Sequence, residues 1–416
     1  MPSVLLNESS TQRAPLSFSC TRGHAQHRHS AVVRCSKEEA ALTQDTERRV
    51  PSLHRRSLLL SAAATLPICT AGAAQSAPAP SRVAPFCGVT GVPSWAFTIP
   101  WEERLVDFGG FKTWVREVGK KPGSGGGLFG LFGKGADKSK GQKWPLLVLH
   151  GGPGLPSRYL ETLELLAGQD RRVIFYDQIG CGNSFLASED RGPAQQDITV
   201  DMFVDELAAV KQALGLKEHH VLGHGWGGML ALTALAAASE EQRAQVQSIT
   251  LTATPPSYHQ LVTDRQERLQ QLPGSVGESL RSPATEEARA QAMAEYSQRF
   301  VTHRLDASCL NVASSGQSSI VNAALTGGNP FQAQGLLRDW QAGPHLAKLA
   351  QPMLLLEGSS EELLPQSTAN LQALRPGGTC TIETLEGAAS YAHIDAWEPY
   401  LEAVNTFLNA NDQQAI

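Results

Sequence analysis

The sequence predicts an α/β fold, with a mostly parallel sheet, helices on both faces and a helical lid inserted before the last strands. Three observations carry that reading. Apolar runs of strand length at residues 145–150, 172–177, 219–223 and 246–252 alternate with helix-periodic segments. That is the pattern of strands buried on both faces and joined by crossover helices. The rhythm stops over residues 257–342, which are polar, helical and punctuated by glycine, then resumes at 353–357 and 379–385. Residues 221–230 are an apolar run that turns a glycine-rich corner into an apolar helical run. This is the strand–turn–helix layout of the G-x-S-x-G nucleophile elbow. Its frame is Gly223, Gly225 and Gly227, so glycine occupies the central position, where the pattern has serine.

Composition bounds the rest. A chain of 416 residues, 41% apolar and 18% charged, suits one large α/β domain with extensions. The net charge of −5 is uneven. Residues 1–73 hold nine Arg/Lys and five Asp/Glu, leaving 26 basic and 35 acidic groups, a net −9, in the remainder. So acidic a body excludes wrapping of nucleic acid, which requires a basic face. The seven cysteines form no C-x-x-C pair, which points to neither a zinc site nor a disulfide framework. Neither a metal nor a cofactor is expected.

The chain opens on an address. Residues 1–50 are rich in Ser, Thr, Arg and His and resemble an organellar transit peptide, although Glu38, Glu39, Asp45 and Glu47 are more acidic than that type prefers. Arg55-Arg56-Ser57, the apolar run 58–68 and the small residues Ala71-Gly72-Ala73 follow, reading as a twin-arginine signal with its cleavage site. Residues 1–73 therefore predict delivery to the thylakoid lumen of a chloroplast, the alternative being a disordered tail with a chance Arg-Arg. The apolar run is too short to span a bilayer as a permanent helix, so no stable membrane span is expected.

After a Pro/Ala/Ser-rich linker at 74–94, the core is expected at 95–256 and 343–416, and the lid at 257–342. Short alternating runs over 95–119 read as antiparallel edge strands. The Gly/Lys-rich insertion at 120–143 contains Leu128-Phe129-Gly130-Leu131-Phe132. It reads as a surface loop, with contact to a membrane or a partner as the alternative. Phe203, Leu207, Val210 and Leu214 recur at helical spacing, and residues 397–408 close the chain as a helix.

Four motifs, in order, carry a resemblance. His150-Gly151-Gly152-Pro153-Gly154 resembles the HGGPG oxyanion loop of the proline iminopeptidases, and residues 177–184 resemble their DQxGCGxS segment. Residues 223–228 resemble their G-x-S-W-G-G elbow without its serine, and residues 327–331 are similar to their GPNEF. The set covers roughly residues 95–410 and implies an α/β-hydrolase fold and the acyl-transfer chemistry of a serine aminopeptidase. In that chemistry a serine attacks, a histidine takes its proton and an acid orients the histidine.

Carried across by this resemblance, the oxyanion hole falls on Gly151, Gly152 and Trp226. The nucleophile position is Gly225. The acid falls on Glu361, where the family has aspartate. The base position is Ser390, with His393 as an alternative, displaced base. The lid glutamate by which the family reads a substrate's amino group is replaced by Pro330. Attack, proton transfer and amine recognition are each missing a side chain. Two readings follow: a catalytically silent member whose pocket binds or regulates, taking a small peptide or amino-acid derivative, and a hydrolase with a rewired site acting on small amides or esters. Cys181, His224, Asp177 and the pair His219-His220 read as structural. Oligomeric state is not predicted.

Overall fold

The computed structural model describes residues 86–119, 143–186, 193–281 and 284–412. The address at 1–73 and nearly all of the insertion at 120–143 lie outside them.

The strands are β1 (Trp101–Phe108), β2 (Phe111–Val118), β3 (Leu146–Leu149), β4 (Val173–Tyr176), β5 (Phe185–Leu186), β6 (His219–His224), β7 (Val246–Thr252), β8 (Met353–Gly358) and β9 (Cys380–Leu385). They form one sheet in the order β1-β2-β4-β3-β6-β7-β8-β9, with β5 paired to β2. From β4 to β9 every pairing is parallel, whereas β1, β2 and β5 pair antiparallel at one edge. Side-chain alternation makes two cores from one sheet. Leu147 and Leu149 of β3 pack into a cluster with Ile174 and Val221, and Leu146 and Val148 pack into another with Val173 and Leu222.

Helices α1 (Val200–Ala213), α2 (Trp226–Ala237) and α3 (Glu240–Ala244) link the central strands. Thr199 caps α1 by accepting from the Met202 N–H, and Ser239 and Gln242 form a capping box on α3. Between β7 and β8 run α4 (Tyr258–Gln270), α5 (Gly274–Arg281), α6 (Glu286–Phe300), α7 (Ser308–Ser315), α8 (Ser319–Thr326) and the short α9 (Gly343–Leu346). The inner faces of α4, α5 and α6 meet in a satellite core that includes Leu269, Leu280, Tyr296 and Phe300, joined by Phe331. After β8 come α10 (Pro365–Ala373), α11 (Ala392–Asp395) and α12 (Trp397–Ala410). None of the described helices is long and apolar enough to cross a membrane.

Two expectations are corrected at the N-terminal end. Residues 86–94 do not behave as a linker: Phe86, Cys87 and Val89 are buried in the second core. The cysteines also supply a disulfide, between Cys87 and Cys309 on α7, across 222 residues of chain. Spacing could not reveal a pair so distant, because pairing follows proximity in the fold.

Candidate active site

Parallel strands present their C-terminal ends to one edge, and the site is built there. β6 ends at His224, the chain reverses at Gly225, and α2 begins at Trp226. Gly225 adopts φ 54° and ψ −116°, a backbone that costs a residue with a Cβ about 1–3 kcal/mol and that glycine adopts freely. Its N–H donates to the Thr252 carbonyl of β7 at 2.9 Å, and its carbonyl accepts from Gly228 and Met229. The other elbow glycines are held by packing. A Cβ on Gly223 would meet the Gly228 backbone, and one on Gly227 would run into the Leu149 carbonyl. A Cβ on Gly225 would meet nothing closer than the Ala253 carbonyl at 3.9 Å.

The oxyanion loop and the 177–184 segment are pinned to this elbow by one glutamine. The Gln178 N–H donates to His150 Nε2 at 2.8 Å, its Nε2 donates to the His150 carbonyl at 2.8 Å, and its Oε1 accepts from Trp226 Nε1 at 2.7 Å. Asp177 orders the neighbouring turn, accepting from the Ser157 N–H and hydroxyl and from the Asn183 N–H. The thiol of Cys181 is buried behind this turn.

Of the three carried-over oxyanion donors, Gly152 and Trp226 line the cavity under the lid, and their N–H groups have no partner among the described residues. Gly151 is different. Its N–H donates to the Tyr159 hydroxyl at 2.7 Å, and that hydroxyl donates to His224 Nδ1 at 2.9 Å. His224 Nε2 then donates to the Ser390 carbonyl at 3.1 Å. A single hydrogen-bonded chain thus joins the oxyanion loop to the base position. It commits both nitrogens of His224, and burial, partly opposed by the Ser390 carbonyl, lowers that imidazole's pKa to about 4.

The base position is committed and the acid position only in part, since Glu361 Oε1 has no hydrogen-bond partner among the described residues. The Ser390 hydroxyl lines the cavity but donates to the Phe300 carbonyl at 3.0 Å and accepts from the Glu362 N–H at 3.1 Å. His393 is not among the cavity-lining residues. It is fully buried among Tyr159, His224, Tyr391 and Tyr400, with Nε2 donating to the Tyr159 carbonyl at 3.1 Å. Burial, then the neighbouring His224, pushes its pKa well below the usual imidazole value. A displaced base at His393 does not fit this placement, because the ring faces a core rather than Gly225. Glu361 is buried, and burial raises its carboxyl well above the usual range. Its Oε2 accepts from the Gly358 N–H, and no histidine stands against it as a partner among the described hydrogen bonds.

The lid is fastened to the core by charges that sequence reading did not single out. Arg265 of α4 meets Glu362 at 2.9 and 3.1 Å, a two-pronged contact, while its Nη1 donates to the Pro330 carbonyl at 3.4 Å. Tyr296 donates to the same carboxylate, and Arg268 donates to the Glu361 and Leu363 carbonyls. Pro330 therefore enters the site region only through its backbone. Glu362 had a signal in its adjacency to the acid position; Tyr159 and Arg265 had none.

The cavity lined by these parts measures about 450 Å³. Its walls combine Leu155, Met229, Leu261 and Leu337 with the polar Asn311, Gln317 and Tyr258. Among the described residues, no group of three His, Cys, Asp or Glu could hold a metal ion. His219 and His220 are buried at the start of β6, with His220 bonded to Ser248 and Asp412.

One buried acid near the site gives a prediction. Glu206 of α1 accepts from the Thr113 hydroxyl at 2.6 Å and from the Ile179 N–H at 3.1 Å. Burial raises its pKa from 4.5 to about 8, against the opposing pull of those two bonds. The unfolded chain ionises this carboxyl near 4.5 and the folded chain only near 8, so unfolding releases a proton between those values. Stability contributed by Glu206 should therefore fall as pH rises across that window. The melting temperature of Glu206→Gln is expected to decline less from pH 5 to pH 8 than that of the parent. Parallel curves would show that the group is ionised in the fold.

Residues 145–399 match the sequence profile of the alpha/beta hydrolase fold. A proline iminopeptidase of Heyndrickxia coagulans is 32% identical over 274 residues, which cover 64% of this chain and 91% of that protein. One from Clostridioides difficile is 27% identical over 319 residues, 74% of this chain and 99% of that protein. The crystal structure of the Mycobacterium smegmatis proline iminopeptidase superposes with a TM-score of 0.63 at 27% identity, over 75% of this chain and 99% of that one. Sheet order, elbow, oxyanion loop and lid agree with these likenesses: the chain belongs to the proline iminopeptidase family of the alpha/beta hydrolase fold.

Proposed function

We propose that this protein is a catalytically silent proline iminopeptidase relative that binds a small peptide or amino-acid derivative without cleaving it. The observation that carries this is Gly225 itself, a backbone shaped for a nucleophile with no side chain to attack. The Ser390 hydroxyl, engaged with the Phe300 carbonyl and the Glu362 N–H, and the two occupied nitrogens of His224 support it. The cavity under the lid supports retained binding. We place the mature protein in the thylakoid lumen on the twin-arginine sequence at 55–57 and the small-residue site at 71–73.

The test is to incubate the mature chain with a fluorophosphonate probe and with aminoacyl-anilide substrates while following its melting temperature. No label, no turnover and a ligand-dependent rise in melting temperature are expected. Stoichiometric labelling, or turnover abolished by Ser390→Ala, would overturn the silent reading.

A further inference from the structure

We infer that the protein carries a second ligand site, a cavity between α1 and α2 at the opposite end of the sheet from Gly225. The site takes an apolar monocarboxylate, with the carboxylate paired to Lys211 and the chain laid against the alanines of α2. It is independent of the binding reading above. β6 ends at the elbow, whereas this cavity lies where the strand begins: His219 and Val221 of β6 and Val246, the first residue of β7, line it. The length of β6, roughly 16 Å of extended chain, separates the two sites.

The cavity follows from the side chains that α1 and α2 present to each other. The row from α2 is Ala231, Ala234 and, just past its end, Ala238, spaced by three and four residues. The row from α1 is Leu207, Ala208 and Lys211. Alanines hold open a gap that larger residues would close. The cavity measures about 700 Å³, larger than the one under the lid and within the usual size of a small-molecule site.

Lys211 decides the head group. It is half-buried in the last turn of α1 and makes no ion pair or side-chain hydrogen bond with the described residues. Its charge reaches the cavity floor. His219 is fully buried there, and burial first, then the neighbouring Lys211 ammonium, lowers its pKa to about 3. The imidazole is therefore neutral, with Nδ1 donating to the Lys217 carbonyl, and adds no second cation. The other charged residues on the wall, Asp205 and Lys217, are exposed and of opposite sign. Lys211 is the charge left unmatched. An ammonium that has given up water beside apolar walls without a counter-charge is costly, and a ligand carboxylate would supply a charge-assisted hydrogen bond. A ligand ammonium would be repelled.

Calorimetry on the full chain at neutral pH with octanoate, octanol and octylamine, which share a chain and differ in head group, tests this. Octanoate is expected to bind roughly tenfold or more tighter than octanol, the usual gain for hydrogen bonds to a charged group. Octylamine should bind weakest. Lys211→Met, which keeps the apolar stem, should bring octanoate down to the affinity of octanol and leave octanol unchanged. Ala234→Phe, which projects a ring into the gap, should weaken both, with its fold checked by melting temperature. Equal or tighter binding of octanol or octylamine, or no binding of any probe, overturns the inference. So does an octanoate preference that survives Lys211→Met, or undiminished binding in a folded Ala234→Phe chain. None of these results touches the silent reading, which the probes of the cavity under the lid decide.

Discussion

Gly225→Ser alone should leave aminoacyl-anilide turnover at the level of the parent chain, and so should Ser390→His alone. Removing either the nucleophile or the base of a serine protease costs about 10⁶-fold in kcat, so restoring one member of the pair leaves the deficit set by the other. The serine will fit, because its Cβ meets nothing closer than 3.9 Å, at a torsional cost of about 1–3 kcal/mol. What it lacks is a proton acceptor. Only the chain carrying both substitutions is expected to rise above either single variant, as measured by anilide release. Turnover by the Gly225→Ser variant would mean that His224 breaks from Tyr159 or Ser390, or that His393 leaves its core, to serve as the base.

Loss of the disulfide is the second large effect. Cys309→Ser should destabilise the fold by about 2–5 kcal/mol, the usual range for a native disulfide, because chain-entropy arguments give long closed loops the larger values. The bond closes 222 residues and fixes α7 against the segment that precedes the sheet. Because Leu310, Asn311 and Ser314 of α7 line the cavity, ligand affinity should fall with stability. A reductant should reproduce the effect in the parent chain. Identical melting temperatures with and without dithiothreitol would show that Cys87 and Cys309 are not joined. A structural disulfide suits an oxidising compartment, where the proposed address would deliver the chain.

The sheet was legible because fully buried parallel strands leave continuous apolar runs. Residues 145–150, 172–177 and 246–252 each contain the strand they predict. The elbow and the oxyanion loop were legible because glycine and proline encode local backbone demands. Long-range commitments were not. Nothing in the spacing of His150, Tyr159 and His224 announces that a tyrosine 65 residues from His224 will take its Nδ1. Cys87 and Cys309 were invisible for the same reason. His393 illustrates the limit most clearly: its position in the motif was readable, but whether the ring turned to the cavity or to Tyr400 depended on packing that only the fold reveals.

The uneven packing around the elbow bears on what this chain could become. Gly223 and Gly227 are locked by backbone neighbours, so substitution there would break the turn itself. Residue 225 faces open space and resists a side chain only through its torsion angles. It is thus the elbow position at which a single codon change could install a thiol, a hydroxyl or a carboxylate at the mouth of α2 without rebuilding the surroundings. On the silent reading proposed above, such a scaffold is evolvable, because the space at residue 225 is kept by neighbours whose roles are structural.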